Sequence, residues 1–153
     1  MRRRAALVVA LAVLVAAAAY LRDPPWIGEV TSGFSAWDVD SQGARFRWTS
    51  GRSSFFVPSD ATAMTLPLKA GPPDEYPPIA VDVHVDGRLL ATLDLPDSRS
   101  RDAKTWTRHT LPLPAQQTSR RFRRIDLRVH RWQELSRGVQ LGRIEIDRPG
   151  RGR

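Results

Sequence analysis

Between Ile79 and Leu95 apolar and polar positions alternate with a period of two. Ile79, Val81, Val83 and Val85 interleave with Ala80, Asp82, His84 and Asp86, and Leu89, Ala91, Leu93 and Leu95 resume the alternation after Gly87. That period places successive side chains on opposite faces of an extended strand, one buried and one wet. Asp86-Gly87 supplies the two positive-φ residues of a tight type I′ turn, so the stretch predicts a hairpin over 79–95. Asp82, His84, Asp86 and Arg88 form its outward face, too mixed in charge to be a ligand surface.

From Val30 onward no segment keeps a helical period, and the strand pattern recurs in short pieces separated by Gly, Pro, Ser and Asp. Strands are expected at Ser35–Val39, at Ala44–Thr49 and at Ser54–Val57, the last stopped by Pro58. In the second of these, Phe46 and Trp48 share one face and Arg45, Arg47 and Thr49 the other. Ala61–Leu68 follows, with Met64, Leu66 and Leu68 inward; Pro67 points to a sheet edge, where a missing N–H does least harm. Ala70–Pro78 is a proline-rich loop and Pro96–Asp102 a polar one. Beyond the hairpin come Lys104–Leu113, which contains Trp106, and Phe122–His130, with Ile125, Leu127 and Val129 inward. Arg131–Gly138 is a loop, and Val139–Ile146 closes the series with a phase shift at Gly142 that marks a bulge. Eight or nine short strands with no crossover helix predict an all-β, antiparallel sandwich and exclude a parallel sheet.

The amino terminus breaks this pattern. Ala5 to Leu21 is an uninterrupted apolar run behind Arg2, Arg3 and Arg4, ended by Arg22-Asp23. A basic head on an apolar core is the layout of an export signal. Its seventeen residues meet the lower limit for crossing about 30 Å of hydrocarbon. Ala17-Ala18-Ala19 also offers a signal-peptidase site, but the continuation to a sharp charged stop favours an uncleaved signal anchor. On either reading the three arginines stay cytoplasmic and the body is translocated. The expected layout is a hydrophobic helix over 1–22, a linker over 23–29, a β-sandwich over 30–147 and a basic tail over 148–153. The sandwich would lie in the periplasm or at the cell surface on a single-pass membrane protein; after cleavage it would be secreted. Trp26 would sit at the membrane interface or open the core.

Composition narrows the chemistry. The chain of 153 residues has no cysteine, which removes disulfides, thiol nucleophiles and Cys-ligated zinc. The net charge of +8 is unevenly spread: residues 22–114 carry ten basic and twelve acidic side chains, residues 115–153 eleven basic and four acidic. Outside the cytoplasm that last quarter would meet anionic lipid or acidic glycan, and export removes nucleic acid from the partners.

Three segments in order, RFRWT at 45–49, VDVHVDGRLLATLDLP at 81–96 and LGRIEI at 141–146, resemble small jelly-roll sandwiches of the galactose-binding-like type. Such domains occur in bacterial membrane-linked proteins of surface-polysaccharide and glycosyltransfer systems. The resemblance implies a non-catalytic accessory module, facing either a glycan or a membrane enzyme. The family's loop before the final strand often carries an Asp-Arg pair; here it reads Ser136-Arg137, so only Arg137 matches.

The remaining side chains nominate binding rather than catalysis. His84, His109 and His130 are not at zinc-ligand spacing, although His84 and His130 would project outward from neighbouring strands. No serine lies in a strand–turn–helix elbow, and no metal or cofactor is expected. Asp38 and Asp40 with the Gln42-Gly43 turn are the oxygen-rich candidate for calcium, and Asp38/Asp40 and Asp74/Glu75 are the carboxylate pairs available for hydrolysis, both in loops or on wet faces. Sugar recognition needs an aromatic face flanked by planar polar groups. Trp132 beside Arg131, Gln133 and Glu134 has those types, and Trp37 beside Asp38 is a second candidate. The favoured reading is a membrane-anchored binding module in cell-envelope polysaccharide biology; a structural partner of a membrane complex and a small envelope hydrolase are its rivals.

Overall fold

The computed structural model describes residues 2–70, 80–96, 105–115, 119–130 and 138–150. A 21-residue helix, α1 (Arg2–Arg22), leads through a 3₁₀ turn, Pro25–Glu29, into ten antiparallel strands. These are β1 (Ser32–Phe34), β2 (Asp38–Val39), β3 (Arg45–Pro58), β4 (Ala63–Lys69), β5 (Ala80–Val85), β6 (Arg88–Asp94), β7 (Thr107–Pro112), β8 (Phe122–His130), β9 (Gln140–Leu141) and β10 (Glu145–Asp147).

One strand belongs to both layers. The first half of β3 pairs with β2 and β9, while its second half, from Arg52 on, pairs with β8. One layer therefore runs β1-β3-β8-β5-β6; the other runs β7-β4, then β9 and β10, then the start of β3 and β2. A strand that changes sheets at a bend forms a corner of a sandwich. The chain is an antiparallel jelly-roll β-sandwich preceded by one helix. Ala44–Thr49 and Ser54–Val57, expected as two strands, are one strand, whose register with β1 shifts between Thr49 and Ser54.

The core between the layers contains Met64, Leu66 and Leu68 of β4, Val81 and Val83 of β5, Ile125 and Leu127 of β8, and Phe55 and Val57 of β3. Alternation named those of β4, β5 and β8 correctly. It failed in β6. The ladder slips between Val83 and His84, so Val83 faces Ala91 and His84 faces Leu89. The extra residue, Leu90, takes the core-side place and Leu89 is left 58% exposed. The expected turn is present, with Asp86 at φ 50° and Gly87 at φ 82°. Asp86 also binds back to β8: Oδ1 accepts from the Arg124 N–H at 3.0 Å, and Oδ2 from Arg123 Nε at 3.3 Å.

His84 corrects a second expectation. It does not project outward into water but is buried, only 9% exposed, and neither ring nitrogen has a hydrogen-bond partner among the described residues. His130 pairs instead with Asp82, Nε2 to Oδ2 at 2.7 Å.

Pro67 is not at an edge. Strand β4 has β7 on one side and β9 and β10 on the other. Pro67 falls opposite the break between β9 and β10, where Gly142 donates its N–H to the Pro67 carbonyl at 2.9 Å. A residue's N and O point the same way from a strand, so the missing proline N–H faces a gap already present in the ladder. The phase shift at Gly142 is that break, and Val139–Ile146 is two short strands rather than one.

Helix α1 is long and apolar enough to cross a membrane by length and composition, and its apolar stretch is not buried against the sandwich. Asp23 joins the two: Oδ2 accepts from the Arg121 N–H at 2.7 Å. Trp26 is 54% exposed, so it does not open the core.

Candidate functional site

The aromatic residues of the second layer are not all in its core. Phe46 is buried, yet it stands apart from the cluster between the sheets. Its ring meets Trp48 edge-on at 6.0 Å between centroids and Trp106 at 6.3 Å. Trp106 precedes β7 instead of lying inside a strand, and its orientation is fixed by polar contacts. Nε1 donates to Asp40 Oδ2 at 3.0 Å, and Lys69 Nζ lies 5.6 Å from the ring centroid.

Asp40 organises this corner. Oδ1 accepts from the Gln42 and Ala44 N–H groups at 2.9 and 2.8 Å, which closes the turn before β3. Lys69 Nζ stands 3.6 Å from Oδ2. The Trp106 hydrogen bond, followed by the Ala44 and Gln42 bonds and the Lys69 charge, holds the Asp40 carboxyl below the usual carboxylate range. Asp40 thus serves the indole and its own turn, and both its oxygens are taken by protein donors. Asp38 Oδ1 accepts from the Val39 N–H at 2.8 Å. Among the described residues no three His, Cys, Asp or Glu side chains cluster as metal ligands.

Beside Trp106 lies an open groove of about 450 Å³, walled by Pro67, Trp106, Gly142, Ala44, Arg45, Arg108, Arg143 and Glu145. Gly142 sets its width: a Cβ there would stand 3.1 Å from Pro67 Cβ and 3.5 Å from Trp106 Cζ3. Glu145 is paired with Arg108. Arg143 has no carboxylate partner among the described residues, and Arg45 stacks on Trp37, its guanidinium carbon 5.4 Å from the ring centroid. An apolar floor bearing a fixed indole, rimmed by planar cations, suits a ligand with both C–H faces and oxygen acceptors.

Trp37 is the one sequence-nominated site residue that falls within the described chain, and it lies next to this groove. It is 47% exposed between β1 and β2, with Arg47 4.9 Å above it. Arg47 also stacks on Phe34 at 4.7 Å and donates to Thr31 Oγ1 at 3.2 Å; burial lowers its pKa. Arg131, Trp132, Glu134 and Arg137 lie outside the described residues, as does Gln133. Sequence reasoning missed Trp106, Arg45, Arg143 and Gly142 as a group. Trp106 had been assigned to a core strand, and the only local hints were the proline and the phase shift, at 67 and 142.

A second recess, of about 550 Å³, separates the last turns of α1 from Ser119–Arg121. Ala16, Ala19, Tyr20 and Arg22 wall one side and Arg120 and Arg121 the other.

No protein-family model and no curated protein matches this chain. Among solved structures it is similar to a family 35 carbohydrate-binding module from an environmental isolate. Identity is 17%, over 77% of this chain and 88% of that one, with a TM-score of 0.48. The C-terminal family 6 carbohydrate-binding module of LamC from Zobellia galactanivorans matches at 13% identity, over 78% and 91%, with a TM-score of 0.46. An exo-β-1,3-galactanase from Phanerochaete chrysosporium matches at 18% identity and a TM-score of 0.44, over 76% of this chain but 27% of that one.

Proposed function

We propose that the protein is a non-catalytic carbohydrate-binding module, held at the outer face of a membrane by α1 and working in cell-envelope polysaccharide biology. The observation that carries this reading is the groove at Trp106. A fixed indole supplies a stacking face, and Arg45 and Arg143 supply donors in fork geometry for hydroxyl or carboxylate oxygens, so acidic glycans are the favoured class. Among the described residues the groove's one carboxylate, Glu145, is held by Arg108 and does not stand beside a nucleophile or base, which fits binding without chemistry. Trp37, stacked under Arg45, extends the aromatic surface. Trp132, with Arg131, Glu134 and Arg137, keeps its sequence-based candidacy as a second contact.

The membrane end supports the anchor. Tyr20, Arg22, Trp26 and Arg121 gather where the apolar run stops, the residue types that favour headgroup depth, and Arg120 and Arg121 belong to the basic last quarter that would meet anionic lipid.

The test is glycan-array binding of the full chain, then titration of Trp106→Ala, Arg143→Ser, Trp37→Ala and Trp132→Ala. Binding to acidic glycans lost in Trp106→Ala and Arg143→Ser is the expected result. Binding lost only in Trp132→Ala would move the site, and no glycan binding together with co-purification of a membrane enzyme would favour the structural-partner reading. The mass of the mature protein separates anchor from secreted module: loss of residues 1–19 would sink the anchor.

A further inference from the structure

On the outer face of the first layer, the register of β3 and β8 sets Arg52 opposite Arg128 and Ser54 opposite Asp126. Directly opposed residues of an antiparallel pair have Cβ atoms about 5 Å apart, and like charges in that position repel. The nearby carboxylates do not relieve this pair. Asp126 is taken by Arg124, whose Nε and Nη2 both lie 2.8 Å from Oδ1. Asp82, the register partner of Arg128 on β5, is taken by Thr92 at 2.6 Å and His130 at 2.7 Å. Among the described residues neither the Arg52 nor the Arg128 guanidinium makes a hydrogen bond or ion pair.

Both arginines line a polar recess of about 350 Å³. Ser32 of β1, the register partner of Ser54, stands at its other wall, and the Arg124–Asp126 ion pair lines it too. We propose that this recess is a binding site for a tetrahedral oxyanion, the phosphate or sulfate group of an ester. Two guanidinium forks on neighbouring strands offer more parallel N–H pairs than the two oxygens of a carboxylate can satisfy; a tetrahedral group has three or four oxygens and a second charge. The Ser32 and Ser54 hydroxyls add donors, and the remaining volume leaves room for the ester substituent. The site is separate from the groove at Trp106 and stands whether or not that groove binds glycans.

The experiment uses the full chain in detergent, titrated with inorganic phosphate and with sulfate against sodium chloride at matched ionic strength. Calorimetry and thermal melting are the readouts. Expected are saturable binding of at least one of the two anions and a saturable rise in melting temperature. Arg52→Ser and Arg128→Ser each weaken that binding about tenfold, and the double variant abolishes it. Arg88→Ser, on β6 and lining neither the recess nor the groove, leaves it unchanged. Without anion, Arg128→Ser melts no lower than the parent, because the opposed charges are gone; this keeps a folding defect apart from a lost site. The stronger of the two anions identifies the ester class. Sulfate stabilises proteins generally by exclusion from their surface, so a rise equal in parent and double variant would overturn the site, as would no saturable binding of either anion.

Discussion

The Trp106 indole N–H donates to Asp40 Oδ2 at 3.0 Å across 66 residues of sequence, tying the turn before β3 to the segment before β7. The bond orients the ring that floors the groove. Asp40→Asn keeps the shape but can turn an amide N–H toward the indole, so glycan affinity should fall about tenfold, the equivalent of one hydrogen bond's net value. Trp106→Phe retains a ring without the N–H and should fall between Asp40→Asn and Trp106→Ala. Titration of the three variants, with tryptophan fluorescence as a check on the ring's environment, orders them; equal affinities would remove Asp40 from any positioning role.

Gly142 is the groove's narrowest wall. Gly142→Val keeps the N–H that binds the Pro67 carbonyl but places methyl groups between Pro67 and Trp106, which already lie 3.1 and 3.5 Å from a Cβ at this position. Glycan binding should drop at least tenfold, with a stability cost of about 1–3 kcal/mol from overpacking. Calorimetric titration and urea unfolding measure the two separately, and unchanged affinity would mean that the ligand does not enter between these residues.

The slip in β6 separates two leucines that alternation places together on the inward face. Leu93 is buried and Leu89 exposed. Leu93→Ala should cost about 2–5 kcal/mol, and Leu89→Ala should stay within about 0.5 kcal/mol. Chemical denaturation of both variants checks the register, since equal losses would put Leu89 back in the core.

Acid should weaken the fold in two steps. Burial lowers the pKa of His109, so its contribution is complete above the unfolded value of about 6.5 and is lost as pH falls below it. The Thr92 hydrogen bond, then that of His130, holds the Asp82 carboxyl below the usual range, as the Trp106 bond does for Asp40. Carboxyls depressed in the folded chain contribute stability that is complete above the unfolded value of about 3.9 and lost as pH falls through the folded one. Urea midpoints from pH 8 to 3 should show both losses. His109→Gln should remove the first step, and Asp82→Asn should flatten the second; a level profile would contradict both assignments.

Where a property depends on neighbours in sequence, it was legible before any coordinates. The inward faces of β4, β5 and β8 and the Asp86-Gly87 turn follow from the two-residue period and from local φ preferences, which the chain carries in each short segment. The break at Gly142 was visible for the same reason. Trp37 was legible as a candidate aromatic contact, but its stacking under Arg45 and Arg47 was half-hidden, because it depends on the register in which β2 pairs with β3 across the turn at Asp40.

The sequence by itself determined an all-β chain behind one apolar helix, with most of its core positions, since burial in a strand is written in alternation. Only the tertiary structure decided that β3 serves both layers, that Leu89 leaves the core and His84 is covered, and that Pro67 sits beside a gap rather than at an edge. It also decided the sites. Trp106, Asp40 and Gly142 meet in one groove, and Arg52 and Arg128 face each other, because strand register brings together residues that no local pattern relates. Register is set by the packing of the whole sandwich, and a one-residue slip such as that in β6 is enough to change which side chains meet.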